Sequence, residues 1–116
     1  MKLKIILVSL LISTLLLGTT TTTPTQRGYT PLYGAIEYAN IEIVKFLIKN
    51  GADINIHSRS DTSLIHAIKY GKIDIAKLLI DANVKLDSVN LYNKTALDIA
   101  REKKNESLIK LLDKKQ

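Results

Sequence analysis

Thr30-Pro31-Leu32-Tyr33-Gly34-Ala35, Thr62-Ser63-Leu64-Ile65-His66-Ala67 and Thr95-Ala96-Leu97-Asp98-Ile99-Ala100 are three versions of one hexapeptide, set 32 and 33 residues apart. Thr, Leu and Ala keep their places in all three. A second series follows at the same spacing: Ile43-Val44-Lys45-Phe46-Leu47, Ile75-Ala76-Lys77-Leu78-Leu79 and Leu108-Ile109-Lys110-Leu111-Leu112, each with a central Lys between apolar pairs. Apolar residues at i, i+1, i+3 and i+4 mark one broad helix face, and the Thr-to-Ala stretch starts a shorter helix before it. Each unit therefore reads as two helices. A period of this length is the mark of stacked units that bury their apolar faces only against one another.

The residue types fit that reading physically. Thr30, Thr62 and Thr95 are placed to accept a hydrogen bond from an orphan backbone N–H at a helix start, and Pro31 brings a preset φ to the next position. Ala35, Ala67 and Ala100 recur where neighbouring helices must approach closely, since a larger side chain would push adjacent units apart. Gly51 follows the second helix as a left-handed terminator, and its counterpart Asn83 is the next residue type able to take that conformation. Gly28, Ser60 and Asn93 share a place in the turn before each helix start. Ser60 fits a positive φ least well of the three, which predicts an irregular second turn.

This pattern resembles the ankyrin repeat, whose signature joins a Thr-Pro-Leu-His helix start, small residues, an apolar second helix and a Gly-Ala-Asp loop. Thr30-Pro31-Leu32, Ile41 to Ile48 and Asn50-Gly51-Ala52-Asp53-Ile54-Asn55 carry the likeness best, and it extends from about Arg27 to Leu112. The resemblance implies an all-α solenoid of stacked helix-turn-helix units over residues 24–116, with repeats at about 27–58, 59–91 and 92–116. In the third unit Arg101-Glu102-Lys103-Lys104-Asn105-Glu106 replaces apolar residues or Gly, as suits a terminal cap. The family His is replaced by Tyr33, Ile65 and Asp98, which leaves the loop-tying hydrogen bonds that the resemblance implies without their usual residue. His66, one place later, reads as an ordinary helix residue.

Residues 1–23 lie outside the repeats. Lys2 and Lys4 precede the apolar run Ile5–Leu17, and Gly18 and Thr19 to Thr23 follow it, the charged, apolar and small-polar order of a signal peptide. The 13-residue run spans roughly 20 Å as a helix, short of the hydrocarbon thickness of about 30 Å, so a membrane anchor would have to draw in the threonines. A buried core helix is the third reading, although the run has no amphipathic stripe. The expectation is a hydrophobic N-terminal helix on a protein that is secreted, periplasmic or membrane-anchored through residues 5–17.

Composition narrows the chemistry. The absence of Cys removes disulfides, thiolate metal sites and Cys nucleophiles together. The net charge is +6, and from Pro24 onward fifteen basic residues face eleven acidic ones, a net of +4. Glu42 with Lys45, Asp74 with Lys77 and Glu106 with Lys110 alternate in sign at helical spacing, as on solvated faces. Neither a His-Glu-x-x-His spacing, a Ser elbow nor a phosphate-cradling Gly loop occurs, so no catalysis, small-molecule substrate, metal or cofactor is expected. Asn93-Lys94-Thr95 and Asn105-Glu106-Ser107 fit the glycosylation triplet, yet Thr95 is already wanted as a helix cap.

The resemblance implies a groove of turn tips and first helices that binds a protein partner. The residues it places there are Arg27, Tyr29, Tyr38, Arg59, Asp61, Lys69, Tyr70, Tyr92, Lys94 and Lys103. Four of the five tyrosines fall in this set, and Tyr and Arg are enriched at protein interfaces. Two readings remain open for them: a contact strip, or rings that cover junctions between repeats. The alternative function is a basic adhesion module holding nucleic acid or an anionic membrane.

Overall fold

In the computed structural model, which describes residues 30–58 and 60–115, every unit begins at its threonine. The hydroxyl oxygens of Thr30, Thr62 and Thr95 accept the N–H of Tyr33, Ile65 and Asp98 at 3.3, 3.2 and 3.2 Å. The helices so started are α1 (Pro31–Glu37), α3 (Ser63–Lys69) and α5 (Ala96–Glu102). Each is followed by a longer partner, α2 (Ile41–Lys49), α4 (Ile73–Asp81) and α6 (Glu106–Lys115). In α5 the Asp98 carboxylate returns the favour by accepting Thr95 N–H at 3.0 Å, a capping box. That backbone hydrogen bond holds the Asp98 carboxyl below its usual range.

The helices stop as deliberately as they start. Gly51 and Asn83 take positive φ after α2 and α4, as expected from their residue types, and Ala39, Gly71 and Lys104 do so after α1, α3 and α5. The reversal lets the next N–H reach back to a carbonyl that the helix leaves unpaired: Asn40 to Ala35, Lys72 to Ala67 and Asn105 to Ala100, at 2.8, 2.8 and 3.0 Å. The carbonyl at the recurring Ala thus closes its helix, while the methyl group faces the core.

Packing follows from these lengths. α1, α3 and α5 lie side by side as an inner layer, each against its own outer helix, and α2 packs on α4. Ala35, Ala67 and Ala100 are 6, 0 and 0% exposed within that layer. Around them Ile36, Leu64, Ile65, Ile68, Ile75, Leu79, Ile80, Leu108 and Leu112 form one continuous core through all three units. The exposed residues of α6 are all polar, in keeping with its reading as a cap.

The second turn is flanked by a short ribbon: β1 (His57–Ser58) and β2 (Asp61–Thr62) pair antiparallel, with His57 opposite Thr62 and Ser58 opposite Asp61. Asn93, in the equivalent place of the third turn, is in the left-handed region at φ 59°. The ribbon adds a trace of sheet to an otherwise all-helical framework. The hydrophobic segment 1–23 lies outside the described residues, and among those no helix is long and apolar enough to cross a membrane.

The seam makes a direct prediction. Ala67→Leu should lower unfolding stability by about 1–3 kcal/mol through overpacking, and Leu79→Ala by about 2–5 kcal/mol through the cavity it leaves. Urea titration followed by the helical circular dichroism signal measures both, and an unchanged midpoint for Ala67→Leu would show that the units do not meet there.

Candidate functional site

The inner helices and the turns before them make one face of the stack, and a polar chain crosses it. The Tyr33 hydroxyl, on α1 of the first unit, donates to the Asp61 carbonyl oxygen and accepts the Ser58 N–H at 3.1 Å. It thereby holds both strands of the ribbon in the second unit. The Asp61 carboxylate accepts Lys69 Nζ at 3.2 Å on Oδ2 and Asn90 Nδ2 at 3.1 Å on Oδ1. Asn90 Oδ1 in turn accepts the N–H groups of Tyr92 and Lys94 at 2.9 and 3.0 Å, which shapes the third turn. Leu91 N–H donates to the Ser60 carbonyl at 2.9 Å and ties the second turn to the third. These groups satisfy one another where water is excluded, which is what buried polar atoms require. Ser58 Oγ is the exception, buried with no hydrogen-bond partner among the described residues.

Aromatic rings line the same face. His66, 8% exposed, stands edge-on to Tyr33 with centroids 5.0 Å apart and tilted to Tyr70 at 4.6 Å. Lys69 Nζ lies 5.8 Å from the Tyr70 ring centroid, within cation–π range. The hydrogen bond to Asp61 leads in raising the Lys69 ammonium above its usual range; burial opposes it, and the Asp61 charge adds to the rise, as do Tyr70 and Tyr92. Burial pushes the Tyr33 phenol well above its ordinary 10.0; the bond from Ser58 pulls the other way, and the Asp61 charge adds to the rise.

The sequence-derived contact residues divide into three groups. Arg27, Tyr29 and Arg59 lie outside the described residues. Tyr38, Tyr70 and Tyr92 are strongly exposed, at 82, 56 and 68%, and Lys103 is exposed as well. Tyr38, Tyr70 and Lys103 occupy equivalent places, each capping the end of its inner helix. Asp61, Lys69 and Lys94 are different. Asp61 was expected on an open turn and is instead 3% exposed, its carboxylate given over to Lys69 and Asn90. Lys69 is held by that pair, and Lys94 by an ion pair with Glu102. The structure thus brings Asp61, Lys69, Tyr70, Tyr92 and Lys94 into one linked patch. Sequence reading missed Tyr33 and Asn90. Tyr33 gave no sign because its reach of 25 and 28 residues along the chain is set by stacking, while Asn90 carried a faint one as an Asn four residues ahead of Lys94, placed for a side-chain turn.

Comparison with known proteins agrees with the stack. The family model described as Ankyrin repeat matches residues 27–59, and the one described as Ankyrin repeats (3 copies) matches residues 55–116, more than half of the chain. The chain belongs to the ankyrin repeat family. An ankyrin repeat protein of Rickettsia bellii (strain RML369-C) is 50% identical to it over 36 residues, which make up 31% of this chain and 11% of that relative. The chain therefore matches a small part of a much longer protein. Ankyrin repeats are in general non-enzymatic modules for protein–protein interaction. In this ankyrin stack Tyr33 stands where the resemblance implied a His, and its hydroxyl ties α1 to the ribbon of the second unit.

Tyr33→Phe tests that tie. It leaves two buried backbone groups without the phenol oxygen and should cost about 1–3 kcal/mol at neutral pH. Because folding raises this pKa, its stabilisation is complete below the ordinary 10.0 and is lost as pH climbs past it. The stability gap between wild type and Tyr33→Phe should accordingly shrink between about pH 8 and about pH 11 in urea titrations. A gap that stayed constant or widened would contradict the buried neutral phenol.

Proposed function

We propose that this chain is a non-enzymatic interaction module that captures a protein partner on the face formed by its inner helices and turn tips, and that residues 1–23 carry it out of the cell or onto a membrane. The observation that carries the reading is the set of exposed rings, Tyr38, Tyr70 and Tyr92, on a base whose buried Asp61 carboxylate is already engaged by Lys69 and Asn90. A protein binder benefits from such a base: rigid rings lose little freedom on contact, and fixed turns spare the ordering cost of association. Leu91, 79% exposed beside Tyr92, adds apolar area at the third turn.

The charge pattern supports a protein partner over the basic adhesion reading. Among the described residues of this face Lys69 pairs with Asp61 and Lys94 with Glu102, and elsewhere Lys45 pairs with Glu42 and Arg101 with Asp113. A surface that gains its affinity by releasing counterions needs unmatched cations in a row.

Affinity capture by the full chain tests the proposal. Tyr38→Ala with Tyr70→Ala should reduce capture by at least about tenfold, since central rings carry most of an interface's energy, with the helical signal unchanged. Capture by the wild type should survive a rise from about 50 to about 200 mM salt, where an electrostatic binder loses orders of magnitude. Unaltered capture by the double variant would remove the tyrosines from the site, and collapse in salt would favour adhesion to a polyanion.

A further inference from the structure

Two large apolar side chains of α2, Ile43 and Phe46, are each 46% exposed. Their counterparts in the next two units are more deeply placed: Ile75 and Leu108 are 1 and 0% exposed, and Leu78 and Leu111 are partly buried against the core. The same two positions in later units thus serve contact inside the stack, and α2 presents them with nothing over them among the described residues. The opposite edge shows how an end is finished for water. No large apolar side chain of α6 is exposed, and Lys110, Asp113 and Lys114 face solvent there.

Several occupants could be imagined for the α2 edge, and a second copy of the chain fits poorly. Joined head to tail, it would offer Ile43 and Phe46 the charged edge of α6. Joined head to head, two half-exposed side chains supply on the order of 200 Å² per copy, against about 800 Å² per partner in a specific interface. A tethered segment escapes that requirement, because its effective concentration is in the millimolar range and no partner has to be immobilised. The long apolar stretch outside the described residues is Ile5–Leu17, which has no charged residue. Its link to Thr30, the N-cap of α1, is Gly18 to Tyr29, which extends to about 40 Å. α1 packs directly on α2, and α2 is about 14 Å long, so every point of the edge is within reach.

We infer that in the uncleaved chain the run Ile5–Leu17 lies over Ile43 and Phe46 and closes the first edge of the stack. The leader then has a second use besides delivery, and removing it opens an apolar surface on the side of the stack away from α6.

The chain contains no Cys, so introduced thiols report without background. In the full-length protein, Leu11→Cys with Ile43→Cys should form an intramolecular disulfide under mild oxidation in dilute solution. Leu11→Cys with Lys110→Cys, at the far edge, should do so at least about fivefold less, because the thiols must come within bonding distance. Labelling of Phe46→Cys should be at least about tenfold slower in the otherwise native chain than in one also carrying Leu7→Ser, Leu11→Ser and Leu15→Ser, as expected for a covered site. Circular dichroism checks that the stack is intact in each variant. Equal disulfide yields or equal labelling rates would overturn the inference. So would disulfides that join only separate molecules, which would point to a second copy, or protection of position 46 that appears only with added phosphatidylglycerol vesicles, which would point to a bilayer.

Discussion

No unit of this chain can bury its own apolar face, so the whole structure depends on how closely one pair of helices can approach the next. Ala35, Ala67 and Ala100 set that distance in the inner layer, and the carbonyls of the same residues close their helices. With only a methyl group to accommodate, the larger Ile and Leu side chains of neighbouring units interdigitate in a single core rather than three small ones. The left-handed residues at the helix ends serve the same purpose. They turn the chain sharply enough that each outer helix folds back over its own inner helix before the next unit starts.

A second layer of order sits on top of this packing. The first inner helix and the second and third turns are joined crosswise by Tyr33, Asp61 and Asn90, none of which is more than 7% exposed. A buried carboxylate is tolerable here because a charged donor and an amide donor both reach it. With Tyr33 in place of a His, the tie between α1 and the second turn is made by a phenol that both donates and accepts, so one oxygen satisfies a carbonyl and an N–H at once. The exposed rings that we assign to partner capture stand on this base and inherit its rigidity.

The framework was legible in the sequence because it is local and repeated. Threonine caps, the Gly51 and Asn83 terminators and the two-helix period all concern residues within a few positions of one another, and repetition in three copies separated them from chance. The crosswise ties were not legible, because whether Tyr33 meets the ribbon at Ser58 and Asp61 depends on the spacing between units rather than on any nearby residue. Asp61 illustrates the gap. An acidic residue in a turn ordinarily faces water, and only the arrival of Asn90 from the following unit, together with Lys69 from below, makes a buried position habitable.

The crosswise chain also has a mechanical meaning. Asn90 holds the backbone at Tyr92 and Lys94, Asp61 holds Asn90, and the Tyr33 phenol holds the backbone at Asp61, so the first inner helix and the two turns that follow it are coupled like links of a bracelet. A load placed on Tyr92 is borne two modules away at Tyr33, and shear along the row meets resistance at every crossing.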